Sequence, residues 1–158
     1  MSDTTYLDWP FFEPRHRELA VELHGWCKEH LTGHHADVDA ACRSHVKALG
    51  ASGWLKYTGA ADGEALDVRT LCLIREIIAQ YDGLAEFCFA MQGLGMGAVT
   101  LFGTPEQKRW LARTRSGEAI AGFAITEPEA GSDAAAAKMT ATRVQGGFVR
   151  SEERRVGK

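Results

Sequence analysis

The chain has 158 residues, room for one ordinary domain or for one and the start of another. With 45% apolar and 25% charged residues it has the composition of a soluble globular protein. A formal net charge of -3, without a basic stripe interleaved with aromatics, argues against nucleic acid as a partner. The apolar runs are broken by Gly, Gln or charge short of a bilayer span, so no membrane span is expected. The N-terminus "MSDTTYLDWPFFEPRHRE" lacks the basic-then-apolar order of a secretory signal.

In chain order, the first predicted helix starts at Pro14. Leu19, Leu23, Trp26, Cys27 and Leu31 form its apolar stripe, and Gly33 is placed to end it. Asp37 reads as the N-cap of a second helix with Ala41, Cys42, Val46 and Leu49 on one face and Gly50 as its stop. The Gly-rich stretch "ASGWLKYTGAADGEA" reads as a loop. A third helix starts near Asp67, buries Leu71, Ile74, Ile77 and Ile78, and ends around Tyr81 to Gly83. A fourth, from Leu84 to about Phe102, is apolar nearly all round and reads as enclosed by its neighbours. "TPEQ" at Thr104 to Gln107 is a capping box with proline at the first helical position; the short helix it opens carries Trp110 and Leu111 and stops at Gly117.

Beyond Gly117 the period changes. "EAIAGFAITE" is strand-like, and "KMTATRVQGGFV" alternates loosely before a turn at Gly146-Gly147. The fold class is therefore mainly α: a helical bundle domain over residues 1–119, followed by the first strands of an incomplete β domain over 120–149. Residues 150–158, "RSEERRVGK", are charged and aperiodic, and read as a non-native tail of the kind a sequencing-library adapter encodes.

Four widely spaced cysteines, Cys27, Cys42, Cys72 and Cys88, fall in apolar helical contexts without a C-x-x-C pair. Reduced, buried thiols in a cytoplasmic protein are expected. All six histidines precede position 46, with His30 and His34 one helical turn apart; no carboxylate or cysteine completes a ligand set, so no metal is expected. "GLGMGA" at Gly93 to Ala98 fits the G-x-G-x-x-A dinucleotide pattern. It would serve only where a strand turns into a helix, so close helix packing is the preferred reading. No G-x-S-x-G elbow, Walker A loop or H-E-x-x-H occurs, and Glu127 and Glu129, split by Pro128, make poor acid/base partners.

One run remains. From Ala124 to Asp133 the chain reads Ala-Ile-Thr-Glu-Pro-Glu-Ala-Gly-Ser-Asp, more chemistry than a tight turn requires. It resembles the first signature of the acyl-CoA dehydrogenase family, every defined position being filled. Upstream, Gly103 to Lys108 is similar to that family's helix start before the β domain, so the resemblance covers residues 10 to 149. The resemblance implies FAD as cofactor, with Phe123, Ile125 and Thr126 along the flavin. Main-chain donors and a hydroxyl there would favour the reduced ring, which gains negative charge. The Gly131-Ser132 corner would admit the pyrophosphate, and Ser132 would also border the acyl-CoA channel. Asp133 is expected to fix the turn, and Glu127 to have a structural or interface role.

The reaction implied is α,β-dehydrogenation of an acyl-CoA thioester, with hydride passing to flavin N5. An electron-transfer flavoprotein would be the acceptor and a homo-oligomer the assembly. In the family the base is a glutamate of a C-terminal helical domain, so no catalytic residue is assigned here and the chain is expected to be inactive alone. A flavin oxidase or monooxygenase of the same fold remains open. So do a cofactor-free helical interaction module with an exposed apolar stripe and a nucleotide binder using Gly93 and Gly95.

Overall fold

The computed structural model describes residues 3–60 and 65–151. The chain divides into two compact units, Met1–Phe123 and Ala124–Lys158. The first contains five helices: α1 (Pro14–His30), α2 (Val38–Ala51), α3 (Val68–Ala79), α4 (Gly83–Phe102) and α5 (Pro105–Arg115). The expected caps form. Asp37 accepts from Ala40 N at 2.9 Å, Asp67 from Arg69 N and Thr70 N at 3.2 and 3.3 Å, and the Thr104/Gln107 box closes in both directions. Each relieves first-turn N–H groups that the helix cannot satisfy.

The helices bury one continuous core. Leu23 and Cys27 of α1, Leu49 of α2, Ile74, Ile77 and Ile78 of α3, and Phe89 of α4 are fully enclosed. Full burial of each large aliphatic or aromatic side chain contributes about 1.5–3 kcal/mol, which is why the apolar stripes decide the packing. α3 packs between α1 and α4, while α2 and α5 also pack on α4.

Several expectations change. Residues 54–58 are not an open loop: Trp54–Thr58 is a short 3-10 turn that inserts Trp54 and Leu55 into the core. So short an element shows no 3.6-residue period. Residues 61–64 of the same stretch lie outside the described residues. Gly50 does not stop α2 but sits inside it, where a Cβ would lie 2.3 Å from Ser116 O; it is a close-packing glycine. Gly117, at φ +75, does follow α5 in the left-handed conformation.

α4 is not enclosed all round by the described residues. Ala85, Cys88, Phe89, Gln92 and Met96 face the core, while Phe87, Leu94, Leu101 and Phe102 are exposed. By length and apolar content α4 also reaches the size of a bilayer span, contrary to the expectation of none; its inner face is nevertheless occupied by the core. The four cysteines are free thiols, but Cys72 is exposed on α3 rather than buried. Burial pushes the Cys27 thiol up to about 12.

In the second unit the hairpin of β1 (Ala141–Val144) and β2 (Gly147–Arg150) is antiparallel, with Val144 opposite Gly147. Gln145 and Gly146 make the turn, one residue earlier than expected, with Gly146 at φ +88. Every strand position is exposed, so the hairpin buries neither face. Arg150 pairs with Ala141, placing the first residue of the supposed tail inside β2; residues 152–158 lie outside the described residues.

Candidate functional site

The stretch expected to be a strand, residues 118–127, has no ladder among the described residues; its last residue, Glu127, makes only an isolated bridge with Ala130. Its start is held instead by one buried side chain. Gln92 of α4, 1% exposed, donates through Nε2 to Thr114 O and Ala119 O, both at 3.0 Å. Its Oε1 accepts from Ala121 N at 2.6 Å. A primary amide meets these three groups because it carries two donors and an acceptor on one plane. The segment then crosses α4 at Gly95, where a Cβ would lie 2.8 Å from Gly122 N and 2.9 Å from Gly122 O. α4 runs unbroken through Gly93 to Ala98, so the strand-to-helix turn a dinucleotide fingerprint needs is absent there and close packing is the role observed. Sequence inspection missed Gln92, since one glutamine in an apolar helix gives no periodic signal.

Phe123, the last residue of the first unit, is 43% exposed. It lines an apolar cavity of about 440 Å³ together with Thr58, Phe89, Gly93 and Gly97. A Cβ added at Gly93 would come to 3.4 Å from Thr58 O, whereas one at Gly97 would meet nothing. Thus the same glycine run that admits the passing segment also keeps one wall of the cavity low. None of the residues lining it is acidic.

Ile125, Thr126, Gly131 and Ser132 belong to the second unit and are exposed. The N–H groups of Ile125 and Thr126, and the hydroxyls of Thr126 and Ser132, make no hydrogen bond among the described residues. Next to them the chain folds back on itself. Glu127 and Ala130 exchange N–H···O bonds of 2.9 and 3.2 Å around Pro128-Glu129. Proline fits that turn because its ring already fixes φ near the value required.

The Glu127 carboxylate accepts from Lys138 N at 2.7 Å and Met139 N at 2.9 Å, a structural role as expected. Asp133 accepts from Ala135 N at 3.2 Å and heads the Ala134–Ala136 turn, also as expected. Glu129 pairs with Lys138, so the two glutamates do not form a carboxylate pair. The turn itself does not require Gly131: its φ is not in the left-handed region and an added Cβ meets open space.

The chain thus runs from a helical bundle with a continuous, glycine-bearing fourth helix, through a segment that Gln92 anchors, to a T-E-P-x-A-G-S-D turn. Comparison with known proteins gives the class. Residues 13–118 match the family described as acyl-CoA dehydrogenase, N-terminal domain, and the chain belongs to the acyl-CoA dehydrogenase family. It is 37% identical over 106 residues to the mitochondrial very long-chain specific acyl-CoA dehydrogenase of Bos taurus, covering 66% of this chain and 16% of that protein. A protein of Bacillus subtilis described as a probable acyl-CoA dehydrogenase is 32% identical over 143 residues, covering 86% of this chain and 24% of its own length. A similarly described protein of Mycobacterium leprae is 31% identical over 132 residues, with 80% and 34% covered. The chain thus spans between about a sixth and a third of the length of these relatives.

Proposed function

We propose that this chain supplies the acyl-chain cavity and one flavin-facing segment of an FAD-dependent acyl-CoA dehydrogenase. The observation that carries the reading is the run of exposed, unpaired donors at Ile125 and Thr126. It lies between the residues Gln92 anchors and the Glu127–Ala130 turn. Their donor chemistry fits the acceptor edge of an isoalloxazine ring, and the ring when bound supplies the hydride acceptor. Ile125 N–H, Thr126 N–H and the Thr126 hydroxyl would hold that edge, Phe123 would pack on the ring, and Gly131 and Ser132 would receive the pyrophosphate. Aimed donors stabilise charge that develops during reaction more than charge already present, so this segment would favour reduction of the flavin.

The substrate proposed is a fatty or branched acyl-CoA. Its acyl tail would enter the cavity between Phe89, Gly93 and Gly97, where apolar walls remove the tail from water. Ser132 would border the thioester end. In the family the α-proton goes to a glutamate of a C-terminal helical domain, so no residue described here is assigned as the base, and the chain alone is expected not to turn over. An electron-transfer flavoprotein as oxidant and a homo-oligomeric assembly complete the proposal.

The test uses the protein at the length of its relatives. It should purify with flavin absorbance and bleach anaerobically when given an acyl-CoA, with electrons passing to an electron-transfer flavoprotein rather than to oxygen. A colourless protein indifferent to FAD would overturn the reading. Rapid reoxidation by oxygen would move it to the oxidases. A second reading, a cofactor-free interaction module, is favoured by one observation, the exposed apolar stripe of Leu94, Leu101 and Phe102. On that reading the protein retains no FAD, and Thr126→Ala and Gly131→Val leave the binding of its ligand unchanged; on the first, both lower FAD retention.

A further inference from the structure

The proposed chemistry uses the C-terminal half of α4, and a cluster at the opposite end of the helix takes no part in it. Asp82, 3% exposed, caps α4 through Oδ1, which accepts from Leu84 N at 2.9 Å and Ala85 N at 3.1 Å. Its Oδ2 is turned to two imidazoles. His35, between α1 and α2, places Nε2 at 2.7 Å, and His45, within α2, places Nε2 at 3.5 Å. The two Nε2 atoms are 3.4 Å apart, with ring planes at 84°.

We propose that His35 Nε2, His45 Nε2 and Asp82 Oδ2 are three ligands of a divalent transition ion, zinc by ligand type. Zinc binds imidazole nitrogen and carboxylate oxygen at about 2.0–2.1 Å, which in a tetrahedral site puts neighbouring ligand atoms about 3.3 Å apart. Two edges of the observed triangle, 3.4 and 3.5 Å, already have that length. The third, 2.7 Å, is a direct hydrogen bond that would open by about half an ångström when an ion replaces its proton.

A hydrogen-bond network alone accounts for the cluster poorly. His45 Nε2 converges on both partners at distances beyond the ordinary range of a strong hydrogen bond, although its ring is nearly buried. The carboxylate, moreover, is already oriented for single-oxygen ligation, its other oxygen being fixed by two main-chain amides. Such outer contacts are what fix first ligands in built metal sites. The fourth position would go to water, reached from the side where the His35 side chain is partly exposed. The ion would tie the α1–α2 connection and α2 to the start of α4. Along the helix Asp82 lies roughly 20 Å from Gly97 at 1.5 Å per residue, so the role is structural. Neither the His30/His34 spacing nor any local motif announced it; α1 ends at His30, and His30 stacks on Trp26.

The test is calorimetric titration of the chelator-treated chain with zinc chloride. One ion per chain should bind, and cobalt(II) in its place should give the intense visible absorption of a four-coordinate site. His45→Gln and Asp82→Asn, the latter keeping a capping acceptor, should each weaken zinc binding about a hundredfold, as should His35→Gln in the connection. Zinc should raise the thermal midpoint of the unaltered chain and not that of H45Q. A control double variant, His30→Gln with His34→Gln, should bind as the parent does. Circular dichroism identifies any variant that fails to fold, and the remaining two then decide. Absence of stoichiometric binding, or binding that folded H35Q and H45Q change by less than about threefold, would overturn the proposal.

Discussion

A Cβ at Gly95 would press within 3 Å of the Gly122 backbone, while one at Gly97, two residues along the same helix, would meet nothing. Alanine should therefore act oppositely at the two positions. At Gly97 it removes the backbone entropy cost of a mid-helix glycine and should raise stability by about 0.5–1 kcal/mol. At Gly95 it must displace main chain that Gln92 holds, and should lower stability by about 1–3 kcal/mol. Urea unfolding of G95A and G97A checks both signs, and equal shifts would refute the packing argument. Gly97 carries a functional consequence as well. Valine there would raise that wall of the cavity; if the proposed acyl-CoA dehydrogenase function holds, the protein at the length of its relatives should then lose activity on long acyl chains before short ones. The glycine run was legible in the sequence as a place of close approach. Which glycine is crowded was not, because that depends on a segment more than twenty-five residues later crossing the helix.

At the scale of elements, the helices were legible because their causes are local: Asp37, Asp67 and Thr104 cap them, and periodic apolar residues fill the core. The strand expected over 118–127 forms no ladder for the complementary reason. Alternating residues mark a strand only when another strand offers a ladder, and here a glutamine side chain takes that part. Replacing Gln92 by Leu keeps the approximate volume but strands two carbonyls and an N–H. The loss should be about 3 kcal/mol, seen as a lower urea midpoint with unchanged slope. Of the candidate site, Glu127 and Asp133 take the local bonds their types suggest. The His35–His45–Asp82 cluster was not readable, because its carboxylate stands far away in sequence and meets the imidazoles only after α2 packs on α4.

For the whole molecule, acidification should lower stability in two stages. His24, hydrogen-bonded to Tyr81 Oη at 2.9 Å, is held below its ordinary value of 6.5 by burial and by Lys28. The unfolded chain therefore takes up that proton first, and stability falls as pH drops through 6.5. Asp67 follows. Burial raises its carboxyl, but hydrogen bonds from Thr70 and the nearby Arg15 together hold it below 3.8. Its contribution is full above that value and is lost as pH falls through the lower folded-state value. His45, also held below 6.5 by burial, shares the first stage, so His24→Gln should shrink that stage without abolishing it and leave the second unchanged in a pH series of thermal melts.

The joint between the two compact units offers a sharper test. Residues 123–126 are exposed and belong to no helix or strand, and Ile125 and Thr126 make no hydrogen bond among the described residues. Chymotrypsin should cut first after Phe123, since a protease needs several unpaired residues in extended form. The five-helix product should stay folded, because its core lies wholly before that point. If these donors instead serve a flavin, FAD added to the protein at the length of its relatives should slow this cut specifically. Thr126→Ala should weaken the protection while leaving cutting of the FAD-free protein unchanged. Cleavage first within α4 or α5 would contradict the fold, and cleavage after Phe123 that FAD does not slow would count against the flavin assignment alone.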